Sequence, residues 1–531
     1  MTDLYRIRKV KCGEEKPHCL RCTSTGRVCD GYDLSFRPKS NTPASNTHGC
    51  PPPSSEHVRS HSPVVPVPLA PALRLDTAQE RDSFEFFSTY AVSSLRGFVD
   101  SPFWEREIFQ AAHQHEPIKH CIIALGAMHR RFYEGISTHL AAADLTDNLL
   151  QFAFRQSNQA IRGLIKASVS GHDQITGVDK ITLMTCSILF NSMACLQGHQ
   201  LEGLQHLRSG LRMLNEMDHN GIDRLEPHAI ELESLRTIFV GLDMQARSIM
   251  SAKDSSDWEP MPQAKWSTIL PNADLDDRSL FGLQGYFHGL FTHVLGYTQA
   301  TRKQPTEERN TTDPQYCRLR ARLDQGISLL DKLFERSTSN SDTQPLMALR
   351  LLHTQTEFML QCPHHDSLPT FGIMEDTPGK PFDAAAHCAK LLDHAVVLLG
   401  NSPLQSPVFT SASGPLAALW MVATRAPSYC MALRKRAARL MITCARREGF
   451  WDGHLGGQVA FELLRLEQES VQSELGLSTV PGRDLVVPDD LRIMGVSLSY
   501  DDNDNRRAKV EYWNSRNVAE GSPGHVQWLH W

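Results

Sequence analysis

The sequence predicts a mostly α-helical protein. A small cysteine-bearing head is followed by a disordered linker rich in Pro and Ser, then by a large all-helical body and a C-terminal β-hairpin. Three observations carry this reading. Apolar residues recur every three or four positions through most of residues 80–475, the spacing of one helix face. Residues 38–71 hold nine Pro and six Ser in 34 positions, a composition that builds no core. Near the C-terminus the apolar period falls to two.

The chain has 531 residues, of which 41% are hydrophobic and 21% charged, so it can bury a sizeable core in more than one domain. No run of eighteen unbroken apolar residues occurs, so no membrane partner is expected. The basic start lacks an apolar stretch, so secretion is not indicated. Thirteen cysteines, an odd number and mostly single, suit a reducing compartment.

The head is assigned to residues 1–32. Residues 1–40 carry nine Lys and Arg against five Asp and Glu, a local charge of +4 in a chain of net −6. The remainder therefore carries −6 − 4 = −10, and a basic head on an acidic body points to an anionic partner. Cys12, Cys19, Cys22 and Cys29 are spaced C-x6-C-x2-C-x6-C behind the run Arg6-Ile-Arg-Lys-Val-Lys11. Thiolates hold zinc tetrahedrally, and an x2 pair lets one turn present two sulfurs to one metal.

Residues 33–79 are read as linker, including Pro51-Pro52-Pro53 and the prolines from Pro63 to Pro71. Residues 80–475 are the body. Leu201, Leu204, Leu207, Leu211 and Leu214 mark one helix, and residues 432–445 another. Further helices are expected over 84–97, 116–133, 140–167, 180–198, 227–248, 278–300, 315–336, 343–361, 382–400 and 457–473, with loops at prolines such as Pro260, Pro363, Pro381 and Pro427. In residues 476–531, Met494, Val496, Leu498 and Tyr500, then Ala508, Val510 and Tyr512, alternate with small or polar residues. That is a hairpin with one apolar face, expected to dock on the helices because an isolated hairpin is marginal in water.

The head resembles the fungal zinc binuclear cluster transcription factors, which space six cysteines as C-x2-C-x6-C-x(5–12)-C-x2-C-x(6–8)-C. Cys12, Cys19, Cys22 and Cys29 match the third to sixth, Arg6 to Lys11 match the basic helix, and Gly31-Tyr32 follows as it often does in the family. The positions of the first two cysteines hold Thr2 and Tyr5. Because the first and fourth cysteines bridge the two zincs in the family, the present set leaves one ion with Cys12 and Cys19 and the other with Cys19, Cys22 and Cys29. Ligation supplies roughly 10–16 kcal/mol of folding energy in zinc-finger peptides, so the binuclear cluster should not form on these thiols alone. Three accounts fit. Met1 to Tyr5 replace a coding exon that carries the missing thiols, so that a complete head binds two zincs. Alternatively the head is degenerate and no longer binds DNA. Or one zinc is held by Cys12, Cys19, Cys22 and Cys29, with His18 a possible substitute.

The resemblance implies a helix that enters the major groove and reads a CGG triplet, with Arg8 and Lys9 at base edges. Arg6, Lys11, Arg21 and Arg27 would face phosphates. Arg and Lys suit the O6 and N7 acceptors of guanine, and phosphate contacts make binding fall with salt. The partners implied are double-stranded DNA and the transcription machinery, in the nucleus. No heptad follows the cluster, so a homodimer is unsupported. The bland reading of Arg6 to Lys11 is a nuclear import signal alone.

The body resembles the second type of fungal-specific transcription factor domain. The matching residues are Phe84-Glu-Phe-Phe, Phe103-Trp104, Ile122-Ile-Ala-Leu-Gly-Ala-Met-His129, Gln197-Gly198, His206-Leu-Arg-Ser-Gly-Leu211 and Arg446-Arg-Glu-Gly-Phe-Trp-Asp452. Most of these aromatics and leucines are expected in the core, and Gly198 and Gly449 in turns or caps. No enzyme is indicated: the P-loop, G-x-G-x-x-G, H-E-x-x-H and G-x-S-x-G patterns are absent. His113, His115, His120 and Cys121, and separately Cys362, His364 and His365, are read as core or surface residues rather than metal ligands. The expected function is a zinc-dependent, sequence-specific regulator of RNA polymerase II transcription, pathway-specific by family analogy. The alternative is an interaction protein that keeps the regulatory body and does not touch DNA.

Overall fold

The computed structural model describes residues 73–135, 147–170, 177–219, 228–250, 257–260, 278–301, 313–337, 340–362, 374–377, 380–400, 407–476, 484–500 and 507–530. The chain divides into two units, Met1–Ala70 and Pro71–Trp531, and the described residues belong to the second.

Local chemistry sets the first helices. Thr77 and Glu80 form a reciprocal capping box at the start of α1 (Ala78–Phe86). A π-helical turn, Phe87–Ala91, leads into the short α2 (Val92–Leu95). A second π-helical turn, Phe103–Glu107, precedes α3 (Ile108–Gln114). His115 then leaves helical backbone at φ −124° and ψ 102°, and Pro117 sits in the first turn of α4 (Glu116–Tyr133), where a missing N–H costs nothing. From Ile118 to Phe132 nearly every residue of α4 is buried, which makes it the central helix of the first bundle. Around it lie α5 (Asn148–Ser170), α6 (Gly177–Gln197), α7 (Gln200–His219) and α8 (Leu232–Ile249).

The second bundle contains α9 (Arg278–Thr301), α10 (Pro314–Arg336, capped by Asp313), α11 (Asn340–Gln361) and α12 (Ala384–Leu399, capped by Asp383). A two-stranded sheet, β1 (Met374–Thr377) and β2 (Lys380–Phe382), precedes α12, and Pro381, expected in a loop, lies in β2. The bundle continues after β3 (Val408–Thr410) with α13 (Pro415–Arg425) and α14 (Met431–Thr443). Next come β4 (Arg446–Glu448), β5 (Trp451–Asp452) and α15 (Gly453–Glu474). β3 runs parallel to β4, and β4 antiparallel to β5. The tail forms β6 (Ile493–Tyr500), β7 (Arg507–Asn514), the short α16 (Ser515–Glu520) and β8 (His525–His530), in the antiparallel order β6-β7-β8.

Three cores follow. The first gathers residues of the Phe87–Ala246 stretch together with Phe409 and Phe450. The second holds Val99 and Met244 with the apolar faces of α9 to α15. In the third, Ala508, Val510 and Tyr512 of β7 pack on Leu455, Val459, Leu463 and Leu464 of α15. The alternation seen in the tail is thus a hairpin with its apolar face on the helices, in the register Val496–Tyr512, Leu498–Val510 and Tyr500–Ala508. β8 extends it to three strands.

The helical expectation holds, with differences. α13 and the 103–114 helical stretch were not anticipated. In α13 Leu416, Ala418, Leu419, Val422 and Ala423 are all buried, so no polar face marks the period. β3, β4 and β5 have two or three residues each, too short for alternation to register. Among the described residues, no helix is long and apolar enough to cross a membrane, and no disulfide forms.

Candidate functional site

Cys12, Cys19, Cys22 and Cys29, and the basic residues Arg6, Arg8, Lys9, Lys11, Arg21 and Arg27, all lie outside the described residues. What can be tested for zinc is the donor set itself. Four thiols match the four positions of one tetrahedral zinc, and Thr2 and Tyr5 supply no thiolate for a second.

Two histidines of the first cluster have partners within the fold. His115 stacks on His228 with ring centroids 4.7 Å apart and meets Thr182 Oγ1 through Nδ1 at 3.3 Å. His120 pairs with Gln156 Oε1 at 2.6 Å, and Cys121 is fully buried. His364 and His365 lie outside the described residues. Among those described, no group of three or more His, Cys, Asp or Glu could hold a metal ion.

The segment Arg446-Arg-Glu-Gly-Phe-Trp-Asp452 builds the joint between the bundles. Gly449 makes the β4–β5 turn at φ 52° and donates its N–H to Thr410 O at 2.7 Å. Arg447 pairs with Asp452 at 2.8 Å, donates to the Leu196 carbonyl at 2.8 Å and lies over the Phe132 ring. Glu448 is buried, pairs with Arg446, and accepts from the N–H groups of Gly414 (2.9 Å) and Leu416 (3.1 Å) at the start of α13. Burial pushes its carboxyl above the usual range, against the pull of Arg446. Just after β3, Ser411 Oγ donates to Leu95 O at 2.8 Å.

Beside this joint is a cavity of about 30 Å³. Its lining includes the buried Gln245 of α8, His288 of α9, Leu352 and Gln355 of α11, and Glu448, together with the half-buried Phe98, Ser248, Ala348, Ser413 and Trp451. Gln245 donates to Ser411 O at 2.9 Å, while among the described residues its Oε1, His288 Nδ1 and Ser413 Oγ have no partner. Burial alone pushes the His288 pKa down to about 4, so its ring is neutral at ordinary pH. Sequence reading missed this pocket. Its only signal was Gln and His on otherwise apolar helix faces, and that pattern does not say which helices converge.

Two family models match the chain. The fungal Zn(2)-Cys(6) binuclear cluster domain covers residues 6–39. The fungal specific transcription factor domain covers residues 84–362, more than half of the chain. The chain belongs to the family of fungal-specific transcription factor domain proteins, a class of transcription regulators and not of enzymes. It is 25% identical to the aspercryptin biosynthesis cluster-specific transcription regulator atnN of Emericella nidulans, over 96% of this chain and 92% of that protein. It is 28% identical to the transcription regulator lscL of Purpureocillium lilacinum, over 40% of this chain and 48% of that one. A segment covering 15% of this chain and 14% of the other is 34% identical to the transcriptional regulatory protein moc3 of Schizosaccharomyces pombe. No solved structure matches.

Proposed function

We propose that this protein is a nuclear, zinc-dependent, sequence-specific regulator of RNA polymerase II genes, dedicated to one biosynthetic pathway and reading CGG-type triplets. One observation carries the reading: thiols at C-x6-C-x2-C-x6-C directly behind Arg6 to Lys11, ahead of a fungal transcription factor body. The end-to-end likeness to a cluster-specific regulator supports the pathway part. Zinc, when bound, supplies folding energy that the small head lacks. Cys12, Cys19, Cys22 and Cys29 would hold it. Arg8 and Lys9 would read guanine edges, and Arg6, Lys11, Arg21 and Arg27 would meet phosphates.

The test uses the full chain. Zinc per chain is measured by mass spectrometry, and binding to CGG duplexes is followed at rising salt. The expected result is bound zinc, affinity that falls steeply with salt, and loss of CGG preference in Arg8→Ala. A chain without zinc that binds no duplex would defeat it. Thr2 and Tyr5, where the family has thiols, favour a second reading: a regulator that acts through its body by binding partner proteins, without touching DNA.

A further inference from the structure

We propose that the exposed face of α5 is a docking surface for an acidic amphipathic helix of a partner protein. The inference concerns the body alone and holds whether or not the head binds DNA.

The buried side of α5 is settled. Leu150, Phe152, Ala153 and Ala160 belong to the first core. Gln156 Nε2 donates to Glu80 Oε1 of α1 at 2.9 Å, and its Oε1 meets His120 Nδ1 of α4 at 2.6 Å. Gly163 lies so close to α4 that a Cβ there would meet Pro117 Cγ at 3.0 Å. These contacts fix the rotation of the helix and so decide what it turns outward. Three large apolar side chains stand in water: Phe154 is 43% exposed, Ile161 42% and Ile165 58%. At steps of seven and four residues they fall in one row along the helix. The row spans about 16 Å at about 1.5 Å per residue. Water-facing positions of a surface helix are ordinarily polar, and grouped apolar surface marks a place of interaction.

A second row runs beside the first. Arg155, Arg162 and Lys166 each follow one of the three apolar residues and repeat their spacing, about 100° further round the helix. All three are exposed. No Asp or Glu occurs from Asn148 to Ser170. Among the described residues Arg155 and Arg162 have no carboxylate partner.

The two rows together define what fits. The apolar row asks for an apolar strip of similar length, which an amphipathic helix supplies from successive turns. The basic row asks for Asp or Glu along one flank of that strip. A second copy of α5 would set bases against bases. A duplex or an anionic bilayer would meet the bases but bring a large negative surface up to an acidic body, which repels it. A single acidic helix satisfies both rows without that cost.

The probe is a fluorescein-labelled peptide of about 18 residues, long enough to cover the row, with Leu on one helical face and Glu beside it. Its twin carries Lys in place of every Glu. Binding to the full chain is followed by fluorescence anisotropy at about 50 mM salt. The expected result is saturable binding of the acidic peptide with a Kd of about 100 μM or tighter, weakened at least threefold at about 300 mM salt. Arg155→Glu combined with Arg162→Glu should weaken it at least tenfold, and Ile161→Ser combined with Ile165→Ser at least fivefold. The Lys peptide should show no binding that the isoleucine pair removes. If the isoleucine pair fails to fold, the arginine pair, fully on the surface, carries the test. No saturable binding of the acidic peptide, or an unchanged Kd in a folded variant, would overturn the proposal. So would binding to phosphatidylserine vesicles, or self-association in sedimentation, that both variants abolish while the acidic peptide does not bind.

Discussion

Arg434 and Arg492 share one carboxylate, that of Glu467, and all three side chains are buried. Arg434 Nη1 donates to Glu467 Oε2 at 2.7 Å, and its Nε donates to the Ala423 carbonyl at 2.9 Å. Arg492 donates to Thr424 O and Ala426 O at 3.1 and 2.9 Å, and the Ile493 N–H donates to Glu467 Oε1 at 3.1 Å. The set ties α13, α14 and α15 to the start of β6. Burial, reinforced by the neighbouring Arg434, pushes the Arg492 pKa down to about 10, so the guanidinium stays charged and needs its counter-ion. Glu467→Ala leaves two buried cations facing each other. We expect a loss of about 3–5 kcal/mol in urea unfolding, the usual penalty for breaking a buried pair from one side. A loss under about 1 kcal/mol would mean that water reaches the site. A second residue sets a pH dependence. His129 on α4 is buried, reaches the Phe409 carbonyl only at 3.5 Å through Nε2, and among the described residues has no partner at Nδ1. Burial pushes its pKa down to about 4, offset in part by that carbonyl. The folded ring therefore stays neutral where the unfolded ring, near 6.5, takes a proton. Its stability contribution is complete above pH 6.5 and is lost as pH falls toward 4, at about 1.4 kcal/mol per pH unit. The buried carboxyls of Asp243 and Glu448, pushed up by burial, act in the opposite direction as they protonate. The comparison with His129→Gln removes their share. The difference in unfolding free energy between the two proteins should shrink by about 2–3 kcal/mol from pH 6.5 to 4.5, and parallel curves would refute the assignment.

At the scale of single elements, close approach explains a residue that periodicity cannot. Gly126 lies in the apolar run Ile122 to His129 of α4, where any helix former would satisfy the pattern. A Cβ there would run into the backbone carbonyl oxygen of Ser83, and would meet Phe87 Cβ at 3.0 Å. α1 and α4 touch backbone to backbone at this point, and neither can yield as a flexible side chain would. Gly126→Ala, favourable in an isolated helix, should instead destabilise the chain by at least about 1–3 kcal/mol. A urea midpoint equal to or above that of the parent would show that α1 can slide. This marks how far the sequence could be read. Helix α10 was legible to within about two residues because it has a polar face, an Asp313 cap and Pro314 in its first turn. The β6–β7 hairpin was legible because eight-residue strands give alternation room to show. α13 was not, since burial on all sides erases the amphipathic signal, and β3 was not, since three residues carry no period.

Across the whole molecule, the sequence shows which face of a helix is apolar but not which helix answers it. The division into separate cores, and the joint between the first two, depend on pairings such as Ser94 Oγ to Phe409 O at 2.5 Å, 315 residues apart in the chain. The joint has two parts. α8 places Leu242 in the first core and Met244 in the second. The β3–β4–β5 sheet places Phe409 and Phe450 in the first while its flanking helices fill the second. Arg447 is the polar fastener of the sheet, holding the last turn of α6 through Leu196 O, the Phe132 ring of α4, and Asp452, which caps α15. Arg447→Ala removes all three contacts at once and leaves each core's apolar packing intact. Neither bundle should unfold outright. The link between them should loosen, because cooperativity between two cores depends on the free energy of the interface they share. Hydrogen exchange followed by mass spectrometry separates the cases. In the parent chain, amides of α4 and α6 should open at the same denaturant concentration as those of α13 and α15. In Arg447→Ala the two sets should part, one bundle opening at lower urea while the other keeps its midpoint. If both sets shift together by the same amount, the bundles unfold as a single unit. The joint would then be ordinary core.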